Sequence, residues 1–180
     1  MLFLVHPTEN NSGFTLIELL MVVSIIAVLS SFLIPGFSNY IDKQNVLQGQ
    51  EILKSDLRTA QNKALTGVGS SVGTEFWGVK VIGNNAADYL YFSSTAASGP
   101  VCDGIDASTA GVEKSQSLTG NVVVRDANNV CVFFSVRNGD ATIVNNAGSD
   151  TLKVAHVDEA PCYGVQINPA GMIKGVKLCE

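Results

Sequence analysis

The chain has 180 residues, of which 46% are hydrophobic and only 15% charged, and it carries a formal net charge of −5. That length supports one domain with a real core beside a separate apolar segment. The acidic balance (pI about 4.9) argues against indiscriminate binding to nucleic acid or anionic lipid.

Residues 1–13, MLFLVHPTENNSG, contain no Lys or Arg, and the first basic side chain is Lys43. Gly13-Phe14-Thr15-Leu16-Ile17-Glu18 follows, and an apolar run continues to Ile34 with only Ser24, Ser30 and Ser31 as polar interruptions. From Phe14 to Ile34 there are 21 residues, which at 1.5 Å per residue is roughly 31 Å of helix, close to the hydrocarbon thickness of a bilayer. A secretory signal would show a basic start, a shorter core and an A-x-A-like exit; here the start is not basic and Ser30-Ser31 is a weak exit. A plain membrane anchor fits the length but supplies no reason for Glu18, because a carboxylate inside such a segment is costly and is normally kept for a purpose. A buried core helix is the third reading. The positive-inside argument gives no orientation from residues 1–13.

Pro35-Gly36 closes the apolar run, a pair that reads as a break in a soluble helix. Beyond it Val46, Gly49, Leu53, Leu57, Ala60 and Ala64 step by three or four, an apolar stripe of helical period. Glu51, Lys54, Arg58 and Gln61 are assigned to the opposite surface, and Gly67 and Gly69 to a C-terminal stop.

After Gly67 the pattern changes to short β-rich runs: residues 75–82, 89–93, 122–125, 130–136, 141–144, 152–157, 163–167 and 172–178. The gaps hold Gly, Asn, Asp, Ser and Pro, with Asn138-Gly139 and Asn168-Pro169-Ala170-Gly171 as the clearest hairpin turns. Residues 94–121, rich in Ser, Ala, Gly and Thr, read as a surface loop. The sum is an α+β fold, a long N-terminal helix packed on an antiparallel β-sheet head.

The Gly13–Glu18 junction and its apolar continuation resemble the N-terminus of type IV pilins and the related pseudopilins. The later stretch VLQGQEILKSDLRTAQNKALTG and the terminal CYGVQINPAGMIKGVKLC are similar to the FimT/GspH group of minor pilins and pseudopilins. The resemblance implies a leader, residues 1–13, cut by a prepilin peptidase between Gly13 and Phe14. It also implies N-methylation of Phe14, an assembly role for Glu18, and one helix over residues 14–66 with a kink or unwound stretch at Pro35-Gly36. Its first half would cross the bacterial inner membrane once; residues 67–180 form the head. The implied partners are the peptidase, the membrane and other pilin subunits, in an extracellular pilus or a periplasmic type II secretion pseudopilus. Glu18 lies about 6 Å up the axis from Phe14, at a helix end that already favours an anion. In a bilayer its nearest cation in a filament is the Phe14 ammonium of a neighbouring subunit.

Four cysteines, Cys102, Cys131, Cys162 and Cys179, lack the spacing of a zinc knuckle and read as two disulfides formed outside the cytoplasm. A hairpin turning at residues 168–171 brings Cys162 and Cys179 near each other, which favours Cys162–Cys179 and leaves Cys102–Cys131, although three connectivities are formally open. Nothing points to catalysis, a metal or a cofactor. His156 is the only histidine beyond the leader, Asp158-Glu159 reads as a solvated turn, and Tyr89, Tyr91, Phe92, Phe133 and Phe134 read as core. Two other classes compete with a filament subunit. A DNA-binding minor pilin would need Arg125, Arg137, Lys153 and Lys174 or Lys177 on one surface, yet beyond Gly67 seven Lys/Arg stand against eleven Asp/Glu. A plain membrane-anchored β-domain predicts no processing.

Overall fold

The computed structural model describes residues 13–67, 73–83, 85–95, 100–107, 111–125, 129–146, 148–158, 160 and 163–179. The chain divides into two compact units, residues 1–40 and 41–180. Among the described residues there are one helix, α1 (Leu16–Thr66), and nine strands: β1 (Phe76–Val81), β2 (Asp88–Ser94), β3 (Val112–Ser117), β4 (Val122–Arg125), β5 (Cys131–Ser135), β6 (Ala141–Val144), β7 (Thr151–His156), β8 (Tyr163–Ile167) and β9 (Ile173–Lys177).

In the first unit α1 begins at Leu16, not Phe14, and continues through Pro35 and Gly36 without an unwound stretch. An interior proline removes one amide donor from the ladder and costs about 3 kcal/mol, yet α1 runs on over 51 residues. Among the described residues no helix is long and apolar enough to cross a membrane.

In the second unit the stripe lands where its spacing puts it. Val46, Leu53, Leu57, Ala60 and Ala64 are buried in the main core with Trp77, Val79, Val122, Val154 and Ile167. Each fully buried leucine contributes roughly 1.5–3 kcal/mol relative to exposure. Gly49 allows close approach, since a Cβ there would sit 2.7 Å from Val122 Cγ1. At the helix end Gly67 takes φ 64° and its amide donates to Lys63 O at 2.9 Å, a left-handed stop.

The head holds two sheets rather than one, with strand orders β3-β2-β1-β5-β6 and β4-β7-β8-β9. Every strand pairing among the described residues is antiparallel. The stretch 94–121 is not simply a loop, because β3 lies inside it. Its sequence, VEKSQS, is exposed along most of its length, so no alternation marks it. A polar, charged strand suits the edge of a sheet. β1 shows how both faces of the larger sheet are covered: Trp77, Val79 and Val81 join the main core, whereas Gly78 backs onto Phe92. A second cluster of Phe92, Cys102, Cys131 and Phe133 lies apart from the main core. The hairpin at residues 168–171 forms between β8 and β9. Gly171 takes φ 79°, and Asn168 Oδ1 accepts the Met172 amide at 2.8 Å.

Candidate functional site

The residues ahead of α1 form a helix cap. Gly13, Phe14 and Thr15 are not helical. Thr15 Oγ1 accepts the Glu18 amide at 3.3 Å, and Thr15 O accepts the Leu19 amide at 3.2 Å as the first helical bond. This is one half of a capping box, Thr-x-x-Glu. The carboxylate also favours a helix amino end through the dipole. Phe14 is 85% exposed, and nothing lies within 4 Å of a Cβ built at Gly13.

Glu18 is exposed, and no other described residue pairs with its carboxylate. Its surroundings are apolar and uncovered, since large side chains from Phe14 to Phe32 stand largely exposed on the isolated chain. An apolar surface of this extent marks contact with lipid or protein. The serines within it turn inward on the helix: Ser24 donates to Met21 O at 2.8 Å, Ser30 to Ile26 O at 2.8 Å and Ser31 to Val28 O at 2.6 Å. Bonds of this kind satisfy a hydroxyl without water. From Phe14 to Phe32 the Glu18 carboxylate is the one polar side-chain group without a hydrogen-bond partner among the described residues.

The other candidate residues lie in the second unit. Cys102 and Cys131 form a disulfide with S–S 2.00 Å and Cα–Cα 5.7 Å. Cys179 is disulfide-bonded; Cys162 and Glu159 lie outside the described residues. Tyr89, Tyr91, Phe92, Phe133 and Phe134 are buried. Burial pushes the Tyr89 and Tyr91 phenols above the ordinary range, and the nearby Asp56 carboxylate adds to both shifts. Tyr89 donates to Asp56 Oδ2.

The candidate basic side chains lie on β4, β7, β9 and the turn after β5. The Arg125 guanidinium turns back onto the carbonyls of His156 and Val157. Lys153 stands opposite it in the β4–β7 register, while Lys174 and Lys177 lie on β9 and Arg137 lies in the turn after β5. His156 is held between Asp42 and Asp158, 4.0 Å from each.

Some residues gain roles that sequence reasoning missed. Arg58 and Gln61, assigned to the outer surface of α1, face the head. Arg58 donates to Ile173 O at 3.1 Å, and Gln61 donates to Gly139 O at 3.1 Å and Gly171 O at 2.8 Å. Gln50 donates to Gly164 O at 2.6 Å and Val176 O at 3.0 Å. Buried Lys80 donates to Cys102 O at 3.3 Å and Ile105 O at 2.6 Å, tying residues 102–105 to β1. A one-turn offset of polar donors along the apolar stripe was the available signal for Gln50 and Gln61, and the spacing Thr-x-x-Glu was the signal for Thr15. Lys80, one charge in an otherwise apolar strand, had none.

Residues 9–34 match the prokaryotic N-terminal methylation motif. The chain is similar to the type IV major fimbrial protein FimA of Dichelobacter nodosus, 43% identical over 51 residues that cover 28% of this chain and 32% of that protein. The same protein of strain VCS1703A gives the same identity and coverage, and a fimbrial protein of D. nodosus is 41% identical over 51 residues, again 28% and 32%. The chain thus spans about a third of the length of the curated relatives it matches. No solved structure matches it.

Proposed function

Starting from a chain that is type IV pilin-like by its methylation motif and fimbrial relatives, we propose that it is the precursor of a filament subunit. A prepilin peptidase removes residues 1–13 and Phe14 becomes the methylated N-terminus. α1 then anchors the subunit in the inner membrane by a single span until it polymerises with other pilin subunits. One observation carries this reading: Glu18 is an exposed carboxylate, without a partner among the described residues, inside an exposed apolar helix directly beyond the junction. In hydrocarbon such a group gains most by pairing with a cation, and the freed ammonium of Phe14 on an adjoining copy supplies one. The pair would set the axial register between subunits.

The test has two parts. Mass spectrometry of the membrane-extracted protein should find residues 1–13 missing and one methyl added; an intact start favours a plain anchored β-domain. Glu18→Ala should insert into membranes normally and fail to assemble, and ordinary filaments from that variant would remove the assembly role. An extracellular pilus and a periplasmic pseudopilus both use a subunit of this kind. The second bridge is assigned to Cys162–Cys179, which non-reducing peptide mapping decides.

A further inference from the structure

The Thr15 hydroxyl caps α1 and thereby leaves the two residues before it outside the helix. Because Thr15 Oγ1 accepts the Glu18 amide and Thr15 O accepts the Leu19 amide, the first helical residue is Leu16. The bond between Gly13 and Phe14 then sits in non-helical backbone, with Phe14 exposed and open space around Gly13. An endopeptidase needs its scissile carbonyl free of a helical hydrogen-bond ring, because the carbonyl must be attacked by a nucleophile and its oxygen must accept new donors as it becomes an oxyanion.

We propose that Thr15 is a positioning residue for leader removal: its hydroxyl fixes where α1 starts and so keeps the Gly13–Phe14 bond in a cleavable conformation. The proposal rests on the precursor reading above. Thr15 does not touch the reacting carbonyl and acts only through the backbone it stops. Without the hydroxyl, the next side chains able to cap a helix are Ser12 and Asn11, since short hydroxyl and amide side chains are the preferred caps. A start at either would draw Gly13 and Phe14 into the first turn. Glycine resists helix formation by about the weight of one cap, so the shift is partial and the effect graded.

The experiment measures the rate of leader removal from the full-length precursor in membranes containing an active prepilin peptidase, for wild type and three variants. Thr15→Val keeps the shape of the side chain and removes the acceptor; it should slow cleavage measurably, by up to about five-fold, the full weight of one helix cap. Thr15→Ser keeps the capping hydroxyl and Thr15→Asn caps through an amide oxygen instead, so both should cleave at close to the wild-type rate. Equal rates for Thr15→Val and wild type would overturn the role of Thr15 and leave the precursor reading standing. Loss of cleavage in the Asn variant as well as the Val variant would overturn it too, because the peptidase would then be reading the threonine itself. A wild-type chain that keeps its first thirteen residues beside an active peptidase would overturn the precursor reading and this inference together.

Discussion

Helix α1 serves two units with opposite surfaces. Up to Tyr40 its described large apolar side chains are exposed, Leu20 at 57% and Phe32 at 79% among them. From Val46 onward the apolar stripe is buried: Leu53, Leu57, Ala60 and Ala64 are inaccessible to solvent. One stretch has its apolar surface satisfied within its own unit. In the other, the described large apolar side chains stand exposed, a surface that marks contact with lipid or protein. The contrast also separates what each kind of mutation should do.

The bridge between Cys102 and Cys131 is the sharpest way to test the second unit alone. It closes 29 residues of sequence, and a loop of that size stabilises a fold by about 3–4 kcal/mol in the chain-entropy account. The double variant Cys102→Ser/Cys131→Ser should lower the thermal midpoint of the head by that weight while leader removal proceeds as in wild type. A midpoint unchanged within error would mean that Lys80 and the Phe92–Phe133 cluster hold residues 100–107 without the covalent tie.

A pair of leucines on the same helix gives the next largest effect. Leu57→Ala empties a site with no solvent access and should cost about 3 kcal/mol. Leu20→Ala removes the same atoms from an exposed position and should leave the urea midpoint of the head unchanged. Its effect belongs to filament yield or membrane retention instead. Equal losses of head stability from the two variants would erase the division between the units.

The same contrast explains what was legible beforehand. The stripe from Val46 to Ala64 could be read because a helix packed on one side repeats its apolar residues every three to four positions. Hairpin chemistry was equally plain in Asn168-Pro169-Ala170-Gly171, where a left-handed position demands glycine. By contrast β3 was hidden, since VEKSQS lies at an edge and needs no apolar alternation. The separation into two sheets was hidden as well: β5 pairs with β1 across more than fifty residues of chain, and such partnerships leave no local mark. In the candidate site, Gly13, Phe14 and Glu18 stood out because a lone carboxylate in an apolar run is expensive. Thr15 was passed over because its contribution is a hydrogen bond to its own backbone neighbourhood, visible only as a three-residue spacing. Gln61 was misplaced because a polar side chain at the margin of a buried stripe looks solvent-facing until the carbonyls of two turns are brought to it.

Two carboxylates carry the comparison to its smallest effect. Asp150, in the head, accepts hydrogen bonds from Gln166 Nε2 at 2.6 Å and Thr151 Oγ1 at 2.9 Å, which hold its carboxyl below the usual range, the Gln166 bond first among the causes. Both donors favour the ionised form, and Gln166, distant in sequence, is in place only when the head is folded. The stabilisation is therefore present above the ordinary carboxylate range near pH 4 and is lost as pH falls through the lowered folded value. Asp150 is exposed, so solvent screening keeps the contribution small. Urea titrations of wild type and Asp150→Asn should show wild type slightly more stable at neutral pH and the two converging below pH 4. Glu18→Gln, on the carboxylate without a partner among the described residues, should leave the head's urea midpoint unchanged at every pH. A pH-dependent loss of head stability in Glu18→Gln would mean that the N-terminal carboxylate has a partner within its own chain, and its availability to a neighbouring subunit would go with it.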